Sequence, residues 1–140
     1  MDYLGFDKAT FEAFKADDRA GPIHMLNLVK LKDTATYEDG TTCSGAEAYA
    51  AYGRESQPVF DRLGGRIVWR GKMELMVIGP KDGSEAWDLC FIAEYPSPAA
   101  FVEMVYDPLY RKAMRHRQAG VQTSRLVRMM PQEAGENFGQ

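Results

Sequence analysis

Hydrophobic residues along this chain follow two kinds of pattern. In some segments they alternate with polar residues or form a continuous run, and in others they recur at every third or fourth position. Segments with the strand pattern lie at 24–31, 66–79, 87–95 and 121–130. Segments with the helix pattern lie at 44–63 and 97–118. The order strand–helix–strand–strand–helix–strand is the ferredoxin-like pattern. We therefore expect an α+β, βαββαβ fold with a four-stranded antiparallel sheet and both helices on one face.

Capping and helix-breaking residues mark the ends of both predicted helices. Ser44 is a suitable N-cap for the first helix, with Glu47 completing a capping box, and Gly64-Gly65 ends it. Pro58 lacks the backbone N–H that an interior helical position needs, so we expect it to kink or split this helix. Asp107-Pro108 interrupts the second helix, which then restarts.

Length and composition indicate one domain. With 140 residues, of which 45% are hydrophobic, the chain can bury a sizeable core. A short amphipathic helix is predicted at 6–16, and the polar stretch at 33–45 is long enough for a small hairpin or a flap. We expect a single domain, 1–140, made of an N-terminal helical extension at 1–21, a ferredoxin-like core at 22–130 and a loose tail at 131–140.

The two middle strands carry apolar residues on both faces. Because strand residues alternate in direction, Val68, Arg70 and Glu74 should share one face of the second strand, and Ile67 and Trp69 the other. Neither face is wholly polar, which is the pattern of a sheet covered on both sides. We expect the helices to cover one side and a second copy of the chain to cover the other, giving a homodimer that could pair further into a tetramer. The alternative is a monomer whose tail folds across the sheet.

Charge and hydropathy exclude several classes of partner. The net charge of -3 and the pI of about 5.4 do not favour nucleic acid, which requires a concentrated basic surface. No apolar run approaches the roughly 20 residues that span a bilayer, and no signal-peptide pattern opens the chain. We therefore expect a cytoplasmic protein with no membrane partner. The two cysteines, Cys43 and Cys90, do not make a disulfide framework.

Polar side chains in or beside apolar elements are the candidates for binding a ligand. Arg117 is the best anchor for an anion, since arginine presents a planar fork to carboxylates. Tyr49 and Tyr52 lie three residues apart on one helix side, and Asn27 interrupts an apolar strand, where a buried amide needs hydrogen-bond partners. The predicted ligand-binding residues are Asn27, Tyr49, Tyr52, Arg70, Tyr110 and Arg117.

These candidates have structural alternatives, and the candidate bases are few. Arg117 could instead form an ion pair with Glu74 or Glu103, and buried tyrosines are more often core residues with a solvated hydroxyl. His24 and Glu74 are the candidates for moving a proton in catalysis. His24 and His116 are the only histidines, and no spacing of His, Cys, Asp or Glu resembles a metal site, so we predict neither a metal nor a cofactor. A haem-handling protein is a third, weaker alternative.

A series of short motifs follows in order over residues 22–130. They are Gly64-Gly65-Arg66, Trp69-Arg70-Gly71, Tyr95-Pro96-Ser97, Phe101, Asp107-Pro108-x-Tyr110 and Arg117, preceded by Met25-Leu26-Asn27-Leu28 and Gly45-x-x-x-Tyr49-x-x-Tyr52. Together they resemble the domain-of-unknown-function 1330 family, and the last two are similar to a longer branch of it. That family belongs to the dimeric α+β barrel superfamily, so the resemblance implies a ferredoxin-like fold and a dimer formed sheet to sheet.

The resemblance does not single out an activity, since the superfamily includes cofactor-free monooxygenases, haem enzymes, isomerases and plain ligand binders. Our first hypothesis is a homodimer that binds a small organic molecule in a pocket between sheet and helices. That molecule could be an anion, since Arg117 could pair with it. The alternative is a cofactor-independent monooxygenase- or isomerase-like enzyme acting on a small apolar acid or a quinol-like compound. In that enzyme Arg117 would anchor the substrate, Asn27 and Tyr49 would orient it, and His24 or Glu74 would move a proton.

Overall fold

Six strands and four helices are present in residues 2–140, the part of the chain that the computed structural model describes. In chain order they are α1 (Lys8–Ala16), β1 (Ile23–Leu31), β2 (Thr34–Thr36), β3 (Thr42–Ser44), α2 (Gly45–Arg62), β4 (Arg66–Gly71), β5 (Leu89–Tyr95), α3 (Pro98–Tyr106), α4 (Pro108–Gly120) and β6 (Val121–Met129). Met1, with which the predicted extension begins, lies outside the described residues. No helix in this range is both long and apolar enough to cross a membrane.

Four of the strands form one antiparallel sheet in the order β4–β5–β1–β6. In its centre, Met25 of β1 lies opposite Ala93 of β5 on one side and Arg128 of β6 on the other. The helices between β1 and β4 and between β5 and β6 lie on one face of this sheet. This arrangement confirms the predicted α+β, ferredoxin-like fold. The two short strands, β2 and β3, pair separately as a small hairpin within the predicted 33–45 flap.

The helices begin where local capping residues allow them to begin. Ser44 Oγ accepts a hydrogen bond from the backbone N–H of Glu47 at 3.0 Å. Asp107 ends α3 and caps α4, because its Oδ1 accepts from the N–H of Leu109 at 2.8 Å. Pro58 lies inside a continuous α2, so the proline does not split that helix. Its missing N–H removes a single backbone donor, and packing of the buried α2 face holds the two halves together.

β4 is shorter than its sequence pattern predicts. It ends at Gly71, and residues 72–88 form neither helix nor strand, although apolar and polar residues alternate to Leu75 and an apolar run follows to Ile78. The two middle strands, predicted at 66–79 and 87–95, are therefore joined by a longer connection than the sequence pattern predicts. Three of its apolar side chains, Leu75, Val77 and Ile78, are exposed, Ile78 by 92%. The pattern fails here because a strand needs a hydrogen-bonding neighbour, and the pairing of β4 with β5 stops at Gly71.

A β-bulge at Val68 changes the direction of the side chains that follow it. Ile67 and Trp69 pair with consecutive residues of β5, so Val68 is an extra residue in β4. Trp69 consequently faces the side of the sheet without helices, and Arg70 faces the helices. The predicted grouping of Ile67 with Trp69, and of Val68 with Arg70 and Glu74, is therefore wrong. Glu74 also lies beyond the end of β4.

One hydrophobic core lies between the sheet and the helices. Its buried side chains are Ile23, Met25, Val59, Ala93, Tyr95, Ala100, Phe101, Met104 and Tyr110. Phe14 of α1 packs against this core, with its ring centroid 5.0 Å from that of Phe101. Burial of each large apolar side chain stabilises the fold by about 1.5–3 kcal/mol. The N-terminal helix therefore joins the helical layer on that side of the sheet.

The other face of the sheet carries no helix. The residues that point away from the core include Leu26, Leu28, Trp69, Ile92, Val127 and Met129. Trp69 is 50% exposed, and Val127 and Met129 are exposed as well. A contiguous apolar surface of this kind is typical of a contact with another protein.

Candidate functional site

Three tyrosines of α2 and α4 form a partly buried cluster beside Tyr95 of the sheet. The ring centroid of Tyr52 lies 5.3 Å from that of Tyr49 and 5.9 Å from that of Tyr110. The hydroxyl oxygens of Tyr52 and Tyr110 are 2.7 Å apart and share a hydrogen bond. Tyr49 and Tyr52 meet because residues three apart lie on one side of a helix, and Tyr110 joins them because α4 packs against α2.

Burial keeps these phenols neutral. Removal from water raises the pKa of Tyr49 to about 12, although the charge of Arg117 acts in the opposite direction. Removal from water also raises the pKa of Tyr52, Tyr95 and Tyr110. A protonated phenol donates a hydrogen bond but does not act as a base. The cluster can therefore offer donors to a bound molecule and cannot remove a proton from it near neutral pH.

Arg117 of α4 brings a positive charge to this cluster. The guanidinium acts to lower the pKa of all three helix tyrosines, so it lies within electrostatic range of each. Its Nη2 donates to Ser124 Oγ at 3.0 Å, and its Nη1 donates to the backbone carbonyl of Leu4. No carboxylate among residues 2–140 pairs with it, so the alternative of an ion pair with Glu74 or Glu103 is not realised.

The middle of the sheet is only partly covered by the helices. Asn27 of β1 lies opposite Phe91 of β5 and Leu126 of β6, and all three face the helical side. Asn27 and Phe91 are half-buried, and Leu126 is 39% exposed. Asn27 Nδ2 donates to the Met25 carbonyl at 3.0 Å, and the amide oxygen of Asn27 has no hydrogen-bond partner among the described residues. This part of the sheet is an apolar surface with one amide in its centre.

Arg70 lies on the same side of the sheet, at the opposite edge from Arg117. It pairs with Phe91 and lines a surface cavity of about 330 Å³ together with Lys72 and Asp88. The six residues predicted to bind a ligand are thus all on the helical side of the sheet. Arg117 lies beside the edge strand β6, and Arg70 lies on the edge strand β4.

The two predicted catalytic residues lie elsewhere. His24 is on the face without helices, where its Nε2 is 2.7 Å from Glu94 Oε2, and Arg66 Nε is 2.9 Å from Glu94 Oε1. Hydrogen bonds from His24 and Arg66 lower the pKa of Glu94. Glu74 is in the connection after β4. His24 therefore lies on the opposite face of the sheet from Ser124, which Arg117 contacts, and Glu74 forms no ion pair with Arg117 among the described residues.

His116 belongs to a second polar cluster, between α2, α4 and the β2–β3 hairpin. Its Nδ1 lies 2.6 Å from Tyr37 Oη, and its Nε2 lies 2.6 Å from Glu55 Oε2. Burial acts to raise the pKa of Glu55, but the hydrogen bond from His116 and nearby positive charges outweigh it, so that pKa is lowered. These contacts hold the hairpin on the helices. Within residues 2–140, no three His, Cys, Asp or Glu side chains are arranged to hold a metal ion.

Sequence reasoning did not pair Arg117 with the two groups that it contacts, the Ser124 hydroxyl and the Leu4 carbonyl. A sequence signal does exist for Ser124, because it is a polar residue that faces the helices beside the apolar residues Val29 and Leu126. No sequence signal marks the Leu4 carbonyl, because every residue has a backbone carbonyl. Tyr37 and Glu55 were also missed, since each lies far from His116 in the sequence.

The sheet order and the one-sided helical layer define a ferredoxin-like α+β protein. The family model described as Domain of unknown function (DUF1330) matches residues 40–130, and the chain belongs to this family. No curated protein matches the chain. The family membership predicted from the motifs is therefore confirmed.

Solved structures agree with this assignment. RPA0582, a protein of unknown function from Rhodopseudomonas palustris, is 59% identical, with a TM-score of 0.90 over 95% of this chain and 99% of that chain. The methylated form of RPA0582 is 58% identical, with a TM-score of 0.93 over 96% of this chain and 98% of that chain. SnoaB, a cofactor-independent oxygenase from Streptomyces nogalater, is 16% identical, with a TM-score of 0.53 over 82% of this chain and 97% of that chain. The likeness to SnoaB is one of fold alone.

Proposed function

We propose that this protein binds a small organic anion in the space between the sheet and the helices, and that it does so as a cytoplasmic homodimer without catalysing a reaction. The observation that carries the proposal is the state of Arg117. Its guanidinium is half-buried, lies beside neutral phenols and has no carboxylate partner among residues 2–140. A partly desolvated charge is costly without a counter-charge, and an anionic ligand would supply one.

The surrounding groups suit a carboxylate attached to an apolar body. The guanidinium can donate two parallel hydrogen bonds to the two carboxylate oxygens. The phenols of the cluster are protonated and can donate to further oxygen atoms of the ligand. Phe91 and Leu126 offer apolar contact from the sheet below, and the amide oxygen of Asn27 can accept one hydrogen bond.

The dimer is supported by the face of the sheet without helices. Trp69, Val127 and Met129 are exposed there. A second copy that placed the same face against this one would remove these side chains from water and would be self-complementary, as a two-fold interface requires. Both cysteines are free thiols, which fits a reducing compartment such as the cytoplasm.

A second candidate is a cofactor-independent monooxygenase- or isomerase-like enzyme, since SnoaB, which shares the fold, is described as a cofactor-independent oxygenase. The guanidinium and the phenols could stabilise the anion of a quinol-like substrate. Such a reaction also needs a base, but His24 lies on the other face of the sheet beside Glu94, and Glu74 lies in the connection after β4. Oxygen uptake in the presence of a hydroquinone, above the rate without protein, would favour this candidate over binding alone.

Binding of benzoate, a small carboxylate with an apolar body, tests the proposal by titration calorimetry. We expect Arg117→Ala to weaken binding by about 10- to 100-fold, because hydrogen bonds to a charged group contribute about 1.5–3 kcal/mol. Arg117→Lys should retain part of the affinity, since lysine keeps the charge but loses the fork. Arg54→Ala, on the exposed surface of α2, is the matched control and should bind as the wild type does.

Native mass spectrometry of protein purified gently from its own host would then identify the natural ligand class. We expect a dimer that carries a reproducible small added mass, which Arg117→Ala loses. Benzoate affinity that is the same in the wild type and in Arg117→Ala would contradict the proposal.

A further inference from the structure

The segment before α1 lies along the edge strand of the sheet beside Arg117. We call residues 2–6 the N-terminal strap. The backbone N–H of Tyr3 donates to Thr123 Oγ1 at 2.9 Å, and the N–H of Ser124 donates to the Tyr3 carbonyl at 2.8 Å. Ser124 Oγ also donates to the Tyr3 carbonyl, at 2.9 Å. These three hydrogen bonds attach the strap to the outer edge of β6.

Side chains of the strap add weaker attachments. The guanidinium of Arg125 lies 4.8 Å from the centre of the Tyr3 ring. The Phe6 ring stacks on Phe11 of α1 at 5.0 Å between centroids. Tyr3 and Phe6 nevertheless remain about half exposed. The Phe6 ring also meets Phe101 of the core edge-on, at 6.4 Å between centroids. The strap forms no helix or strand, and the pairing of β6 with β1 lies on the other edge of β6.

Two successive carbonyl oxygens of the strap occupy the donors of the proposed anion site. The Leu4 carbonyl accepts from Arg117 Nη1, and the Tyr3 carbonyl accepts from Ser124 Oγ, which in turn accepts from Arg117 Nη2. The two oxygens of a carboxylate could take the same two donors. A carboxylate carries a full negative charge where the carbonyls carry only partial charges, so it is the stronger acceptor for arginine.

We propose that the N-terminal strap is an internal competitor for the anion site, and that a ligand carboxylate replaces the Tyr3 and Leu4 carbonyls while the strap moves away from β6. This inference rests on the proposed function, because it assumes that Arg117 and Ser124 receive the ligand. The strap then sets the apparent affinity: each attachment that it must lose lowers that affinity by a few-fold.

Amide hydrogen exchange, followed residue by residue by NMR, reports the strap directly. The Ser124 N–H is bonded to the Tyr3 carbonyl, so its exchange requires the strap to open. We expect saturating benzoate to accelerate exchange at Ser124 by about tenfold or more. The Gly65 N–H, which donates to the Phe60 carbonyl at 2.8 Å at the end of α2, is the control and should not change.

Variants that loosen the strap should bind benzoate more tightly. We expect the double variant Tyr3→Ala with Phe6→Ala to gain about 5- to 20-fold in affinity, since a lost attachment of about 1 kcal/mol corresponds to about fivefold. Phe138→Ala, at a fully exposed phenylalanine, is the matched control. Thr123→Val removes the acceptor of the Tyr3 N–H and should act in the same direction, whereas Thr123→Ser should not.

The outcomes separate the two proposals. Benzoate binding that depends on Arg117, with Ser124 still protected and no gain in the strap variants, would overturn the strap and leave the anion site intact. Weaker binding in the strap variants would show that the strap closes over the ligand rather than competing with it, which also overturns this inference. Absence of benzoate binding in both the wild type and the strap variants would overturn the anion site itself.

Discussion

Two arginines on opposite sides of the sheet have different partners. Arg66, on the side without helices, donates to Glu94, which His24 also contacts at 2.7 Å. Arg117, on the helical side, contacts a serine hydroxyl and a backbone carbonyl. The charge of Arg66 is thus compensated within the chain, and the charge of Arg117 is not. Arg117, the arginine of the proposed anion site, thus differs from Arg66 in lacking a carboxylate partner and not in its residue type.

Large aromatic side chains differ between the two sides in the same way. Phe101 is buried under the helices, and its neighbours include Phe14 and Tyr95. Trp69 is half exposed on the other face, because the bulge at Val68 turns it there. The chain's own helices cover one side, and the proposed dimer would cover the other.

We expect the largest loss of stability for a substitution in the core, on the helical side of the sheet. Phe101→Ala should lower the free energy of unfolding by about 3–5 kcal/mol, because it removes a buried ring and leaves a cavity. Urea unfolding at several protein concentrations measures it. The loss should be independent of concentration, and a loss that grows on dilution would mean that Phe101 acts through the dimer instead.

A charge on the face without helices should break the proposed dimer. Trp69→Asp is expected to weaken self-association by about 100-fold, since a central interface aromatic is typically worth 2 kcal/mol or more. Sedimentation of the wild type and the variant measures the masses. Leu109→Asp, an exposed leucine on the helical side, is the control and should leave the mass unchanged. If the wild type sediments as a monomer at every concentration, the proposed dimer is contradicted.

The helical side should be sensitive to alkali. The pKa of Tyr49 is raised to about 12 from 10.0, so the unfolded chain loses this proton first as the pH rises. Stability is therefore unaffected below pH 10 and should fall above it, by about 1 kcal/mol per pH unit for this tyrosine. Urea unfolding of wild type and Tyr49→Phe at pH 9 and pH 11 isolates the contribution. Equal losses in both proteins would mean that Tyr49 is not desolvated.

We expect the smallest effect at low pH, on the side of the sheet without helices. The pKa of Glu94 is lowered from 4.5, so its ionised form is favoured by folding. Its contribution is present above pH 4.5 and should disappear as the pH falls through the lowered value. Glu94→Gln should cost less than about 1 kcal/mol at pH 7, because the pair is partly exposed, and nothing at pH 2. A cost that persists at pH 2 would assign the effect to packing instead of charge.

The parts of the structure that depend on neighbouring residues could be predicted well. Ser44 and Asp107 cap helices through contacts with residues two or three positions away. The order of strands and helices follows from periods of two and three to four residues, and it was sufficient for the fold class. The candidate residues Asn27, Tyr49 and Arg117 were selected because polar groups stand out within apolar elements, and their role in binding stays a prediction.

The sequence by itself thus determined the order of the elements, the ends of the helices and the list of polar groups inside them, since each depends on contacts over a few residues. Only the tertiary structure decided that β4 stops at Gly71, that Trp69 and Arg70 face opposite sides, and that Arg117 meets the Leu4 carbonyl. A strand ends where its neighbour ends, and a bulge is a mismatch between two strands. The contact between Arg117 and Leu4 joins backbone and side chain across almost the whole chain, which no local pattern encodes.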